Sequence, residues 1–133
     1  LPEHIFSGFA LVDAVMCSAL REPRRGAGSA VSEVTEQMRA NCSGHLRATL
    51  QILEPTVIVT QGEKARRALG LAYPGLVWWN RGAQAVAIDG RPVILMNFHH
   101  PSARGAYGWS WPSSRYLQTV VEPEVRRFFP ARA

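Results

Sequence analysis

The stretch Leu53-Glu54-Pro55-Thr56-Val57-Ile58-Val59-Thr60-Gln61-Gly62-Glu63 decides the fold. Pro55 stops whatever helix precedes it, because its ring cannot continue the hydrogen-bond ladder. Thr56 to Thr60 are all β-branched, which predicts a short strand. Gln61-Gly62 then gives a tight turn into a further helix, Glu63 to Leu69, closed by Gly70. A helix-strand-turn-helix series of this kind belongs to the α/β class.

Working outward, Ser32-Glu33-Val34-Thr35-Glu36 reads as a helix cap with acidic first-turn residues. Asn41-Cys42-Ser43-Gly44 punctuates that helix, and a second one follows with His45, Leu46, Leu50 and Leu53 at helical spacing. Upstream, Phe9 to Cys17 is apolar except for Asp13, as a strand buried on both faces would be. Arg21 to Ser29 combines charge, Pro, Gly and Ser and is expected to be an exposed loop. Downstream come Leu76-Val77-Trp78-Trp79 and a hairpin, in which Ala85 to Ile88 turns through Asp89-Gly90 into Pro92 to Met96. That last strand runs into His99-His100-Pro101-Ser102. The loop Ala103 to Trp111 precedes a final amphipathic helix from Pro112 or Ser113, with Tyr116, Leu117, Val120, Val121 and Val125 on its apolar face and Arg126-Arg127 near its end.

The 133 residues, 47% hydrophobic and 19% charged, suit one domain spanning 1–133. No apolar run reaches the roughly 18 to 20 residues of a membrane span. No basic n-region precedes an apolar stretch, so nothing reads as a secretory signal; the chain begins at Leu1, and it is expected to continue upstream in the natural protein. The net charge is +5, with fourteen arginines against one lysine, Lys64. Arginine suits phosphate, so the excess fits nucleic-acid binding, and it equally fits a GC-rich genome. Two cysteines, Cys17 and Cys42, form neither a disulfide framework nor a zinc pattern, and a reduced cytoplasmic protein is the expectation.

Ligands of open α/β sheets bind beyond the carboxyl ends of the strands. Three places qualify: Asp13, the turn Gln61-Gly62-Glu63-Lys64, and His100-Pro101-Ser102. Asp13 must find a partner, reach the strand end or protonate, and a purely structural aspartate is the plain alternative. Gly62 opens a helix whose first N–H groups suit a phosphate, although the spacing is not that of a Walker loop. His99 and His100 are a weak metal signal, since adjacent side chains at a strand end point apart. No Gly-x-Ser-x-Gly elbow supports a hydrolase triad. In Ala103 to Trp111, aromatic and basic residues alternate with small ones; such a loop can stack on bases, or its aromatics can cover an edge of the core.

The order of these pieces resembles the uracil-DNA glycosylase superfamily. Asn41-Cys42-Ser43-Gly44-His45-Leu46-Arg47, then Leu53 to Gly62, then Ala65 and Leu69 look like that family's central run. Arg81-Gly82 before a hairpin also fits, and His100-Pro101-Ser102 looks like its His-Pro-Ser motif. The likeness extends from about Phe9 to Phe129. It implies a three-layer α/β/α domain around a central, mainly parallel four-stranded sheet, acting on DNA as a monomer without a cofactor. The activity implied is hydrolysis of the base–sugar bond of a flipped, uracil-like base. On that model His100 is the catalytic residue, polarising the base carbonyl as negative charge gathers there. Asp13 lies in the base pocket. Gly62, Lys64, Ser102, Arg104, Tyr107 and Trp109 contact DNA.

Two departures accompany the resemblance. The family's first motif, a Gly- and Pro-containing loop that positions the attacking water, has no counterpart before Phe9. Either the chain is the C-terminal part of a longer enzyme, inactive by itself, or it is a non-catalytic nucleic-acid-binding or scaffold homologue. Asp13 also stands four residues before Cys17, where many relatives carry asparagine. An ionised aspartate cannot donate to uracil O4, so a protonated Asp13, another base, or loss of base reading each follow. The iron–sulfur cluster of some branches is not expected, as only two of four cysteines are present.

Overall fold

The computed structural model describes residues 8, 10–13, 20–21, 31–32, 34–76, 82–110 and 114–130. It is a mixed α/β structure. In chain order the elements are β1 (Leu20–Arg21), β2 (Val31–Ser32), α1 (Glu36–Leu53), β3 (Val57–Gln61), α2 (Glu63–Ala72), β4 (Gly82–Ile88), β5 (Arg91–Phe98) and α3 (Glu122–Phe128). The sheet order is β3-β5-β4, with β3 and β5 parallel and β4 and β5 antiparallel. Register pairs Thr60 with Asn97 and Gln61 with Phe98, so β3 and β5 end side by side.

The sheet therefore differs from the expected four-stranded, mainly parallel one: among the described residues it has three strands and is mixed. The run expected as the first strand is irregular at residues 10–13, and Phe9 and 14–17 lie outside the described residues. Arg21 does not simply open a loop, because Leu20 and Arg21 pair antiparallel with Ser32 and Val31.

The first helix also differs from its sequence reading. Thr35, not Ser32, is the cap, its hydroxyl accepting from the Met38 N–H at 3.2 Å, and α1 runs unbroken through Asn41-Cys42-Ser43-Gly44. Arg39, Cys42, Leu46 and Leu50 recur at helical spacing along its buried side. That stripe outweighs the roughly 1 kcal/mol that Gly44 costs in a helix interior. Glu54 then caps the helix in the left-handed region (φ 45°) before Pro55. Likewise α2 passes through Gly70 to Ala72.

The core lies between these helices and the sheet: Leu46, Leu50, Leu69 and Tyr73 meet Ile88, Val93 and Leu95. Alternation along β5 puts Val93, Leu95 and Asn97 on this face, and Met96 and Phe98 on the other. The hairpin is as expected, with φ positive at both Asp89 (49°) and Gly90 (75°), as a two-residue primed turn demands. At the C-terminal end, the Ser114 hydroxyl accepts from the Leu117 N–H at 3.1 Å. The expected helix starts just after it, and Trp111, Pro112 and Ser113 lie outside the described residues. This helix opens into a π-turn, Leu117–Val121, before α3. Pro123 explains the widening: it has no N–H to give and its ring crowds the turn before it. No helix among the described residues is long and apolar enough to cross a membrane.

Candidate functional site

The parallel pairing of β3 and β5 brings two of the three expected places together. The Gly62 N–H donates to the Phe98 carbonyl at 2.8 Å, extending the ladder past the strand ends. Gly62 has φ 91°, and a Cβ there would lie 3.1 Å from the His100 Cβ. Only glycine accommodates both that backbone conformation and that approach. The turn before α2 and the His100-Pro101-Ser102 turn thus form one surface, although 38 positions separate Gly62 from His100.

The His100 carbonyl accepts from the Ala103 N–H at 2.8 Å, closing a turn with Pro101 second, where its fixed φ fits. Within this turn the Ser102 N–H donates to His100 Nδ1 at 3.1 Å, and the Ser102 hydroxyl lies 2.6 Å from the same nitrogen. A backbone N–H can only donate, so Nδ1 is an acceptor and the proton of the neutral ring sits on Nε2. His100 is exposed. Its Nε2–H is thereby oriented as a neutral donor, able to stabilise negative charge developing on an oxygen.

Lys64 lies exposed in the first turn of α2. That helix starts at Gly62 without a side-chain cap, so its first N–H groups are not met locally. Beneath them, the Thr60 hydroxyl hydrogen-bonds to Asn97 Oδ1. Asn97 is 3% exposed, and its Nδ2 is buried with no partner among the described residues. These groups border a small cleft lined by Thr60, Gly62, Glu63, Arg66, Asn97 and the segment Phe98-His99.

The third expected place stands apart: Asp13 is exposed, in irregular chain, and makes no hydrogen bond or ion pair to either turn among the described residues. The aromatic loop has a geometry of its own. The His99 ring stacks on Tyr107 at 4.0 Å and meets Tyr116 edge-on at 5.3 Å. Trp109 packs against Phe98 and Tyr116, with centroids 6.3 and 6.2 Å away. The Tyr116 hydroxyl accepts from the His99 N–H at 3.0 Å. Trp109 and His99 therefore cover the strand end, the plainer of the two expectations for this loop, while Tyr107 keeps 48% of its surface exposed. Arg104 and Ser102 are also exposed. Next to Tyr107, an open groove runs between His99, Arg115, Tyr116, Thr119 and Val120.

Cys42 is buried in α1, and Cys17 lies outside the described residues, as does Arg81. No group of three or more His, Cys, Asp or Glu among the described residues could hold a metal ion. Sequence reasoning missed Thr60 and Asn97. The signal was an amide inside an apolar central strand, since a buried polar side chain there requires a partner. No family model, curated protein or solved structure matches this chain at a significant level.

Proposed function

We propose that this chain is a uracil-DNA-glycosylase-like domain, and that the intact protein hydrolyses the N-glycosidic bond of a flipped, uracil-like base in DNA. On this reading the architecture is three-layer α/β/α around a four-stranded sheet, and the domain acts as a monomer. The observation that carries the reading is the single surface made by the Gly62 turn and His100, with Nδ1 of His100 held by the Ser102 N–H. The Nε2–H faces the base carbonyl. Gly62, Lys64, Ser102 and Arg104 meet backbone phosphates around it.

The test uses the intact protein and oligonucleotides containing uracil, cytosine or hypoxanthine. Alkaline strand cleavage after incubation reports excision, and a gel-shift titration at two salt concentrations reports phosphate contacts through its slope. His100→Ala is expected to lower excision by about 10²- to 10³-fold with the slope unchanged. Equal excision by the variant would overturn the assignment of His100.

A second reading, a nucleic-acid-binding homologue without hydrolysis, draws support from exposed Asp13 and from Trp109 seated on its own domain. Salt-dependent binding with no excision of any base would favour it. Absence of both binding and excision would reject the two together.

A further inference from the structure

We propose that Tyr116 is a positioning residue for His100, its hydroxyl holding the strand end from which the chain runs into the His100 turn. That turn is closed on itself by the bonds from Ser102 and Ala103, so its place depends on how the chain before it is fixed to the sheet. On one side, the Gly62 N–H donates to the Phe98 carbonyl at 2.8 Å and ties the end of β5 to the start of α2. Successive residues of a strand turn their backbone groups to opposite sides, so the next N–H, that of His99, is directed to the side of β4. Among the described residues the register there stops with Gly82 opposite Asn97. The Tyr116 hydroxyl accepts the His99 N–H at 3.0 Å.

The phenol is a fixed point. Tyr116 is 5% exposed, and its ring meets those of His99, Tyr107 and Trp109 with centroids 5.3, 6.1 and 6.2 Å away. The Ser114 hydroxyl, which caps this helix at Leu117, also donates to the Gly108 carbonyl at 2.6 Å, so the start of the helix is tied to the aromatic loop. Packing thus sets the ring, the ring sets the hydroxyl, and the hydroxyl sets the His99 N–H. A partly buried N–H that loses its acceptor draws the backbone toward another one or toward water. The backbone concerned immediately precedes His100, whose Cβ lies close enough to Gly62 that an added Cβ there would come within 3.1 Å. The positional role stands on this hydrogen bond alone. Its catalytic consequence rests on the base excision proposed above, where a displacement of about 1 Å costs up to about 10²-fold in rate.

Tyr116→Phe removes the hydroxyl and keeps the ring. In the full chain, NMR cross-relaxation between the Gly62 α protons and the His100 β protons reads the position of His100, because the two residues approach so closely. It is expected to weaken in Tyr116→Phe and to stay at the wild-type level in Ile88→Val, which thins the buried core at the hairpin end and leaves the hydroxyl in place. In the intact protein, Tyr116→Phe is expected to lower kcat for excision by about 10- to 100-fold, with KM and the salt slope of binding unchanged. Undiminished cross-relaxation in a folded Tyr116→Phe protein overturns the proposal, as does an unchanged kcat or a loss carried by KM. A wild-type protein that excises no base rejects the excision reading alone, and the cross-relaxation then decides the role of Tyr116 by itself. The wild type also supplies a test that needs no variant. Its His99 amide is expected to exchange slowly with solvent although it lies past the last ladder pair, and exchange at the rate of an open amide overturns the proposal.

Discussion

The two ends of the sheet are built on opposite principles. At the hairpin end, every oxygen of the Asp89 carboxylate is engaged: Tyr73 donates to Oδ2 at 3.0 Å and Arg47 to Oδ1 at 3.3 Å. The Arg47 guanidinium also lies over the Tyr73 ring, 5.2 Å from its centre. At the other end, the Asn97 amide nitrogen has no partner among the described residues, α2 begins without a side-chain cap, and His100 is exposed with its Nδ1 held by the Ser102 N–H. The contrast separates a closed polar network, which fixes a turn, from a set of donors arranged around open space. A buried donor is normally paired, so the Asn97 nitrogen sets this end apart from the closed network around Asp89.

The largest expected effect tests whether the two ends share one foundation. Leu95 is fully buried between them, in the middle of β5. Leu95→Ala is expected to cost about 2 to 5 kcal/mol, measured by denaturant unfolding. Hydrogen exchange at Asp89 and at His100 should accelerate together. Acceleration at only one of them would mean that the ends open as separate units, and the comparison would lose its common base.

A smaller effect comes from two glycines that both need positive φ. Gly62 at 91° meets His100, whereas Gly90 at 75° has nothing within 4 Å of an added Cβ. Gly90→Ala carries only the conformational cost, about 1 kcal/mol. Gly62→Ala adds the displacement of His100 and is expected to cost about 1 to 3 kcal/mol, with the His100 ring resonances shifted. Equal costs and an unmoved His100 would show that the close approach does not constrain the site.

The same contrast explains what could be read in advance. Asp89-Gly90 was legible because a primed two-residue turn depends on those two residues alone. The strand Val57–Gln61 and the start of α2 were legible for the same reason: β-branched residues, Gly62 and Pro55 act locally. The continuity of α1 was not, since Asn41, Ser43 and Gly44 look like punctuation until Leu46 and Leu50 are seen packing under the sheet. In the helix the Ser43 hydroxyl donates back to the Ala40 carbonyl at 2.7 Å. Of the candidate site, His100 and Gly62 could be singled out, but their contact depends on parallel pairing between distant segments. Asn97 was harder still. Its importance lies in an unmet donor, and hydrogen-bond satisfaction is a property of three-dimensional neighbours.

The smallest effect is the one most specific to the closed end. Desolvation pushes the Asp89 carboxyl up, but hydrogen bonds from Tyr73, Gln51 and Arg47 together outweigh it and hold its pKa below the ordinary value. A carboxyl with a lowered folded pKa binds its proton more readily when unfolded, so its contribution to stability is complete above about pH 3.9 and disappears as pH falls through the folded value. Glu36, held down chiefly by its hydrogen bond from Arg39, loses its contribution over the same range. Asp89→Asn should therefore flatten, without abolishing, the loss of stability that unfolding midpoints register below pH 4. The open end offers a control, because Asn97 and Thr60 do not titrate there: Thr60→Val is expected to lower stability equally at every pH in that range. An Asp89→Asn protein with the wild-type acid slope would mean that the Asp89 network does not distinguish the two ends.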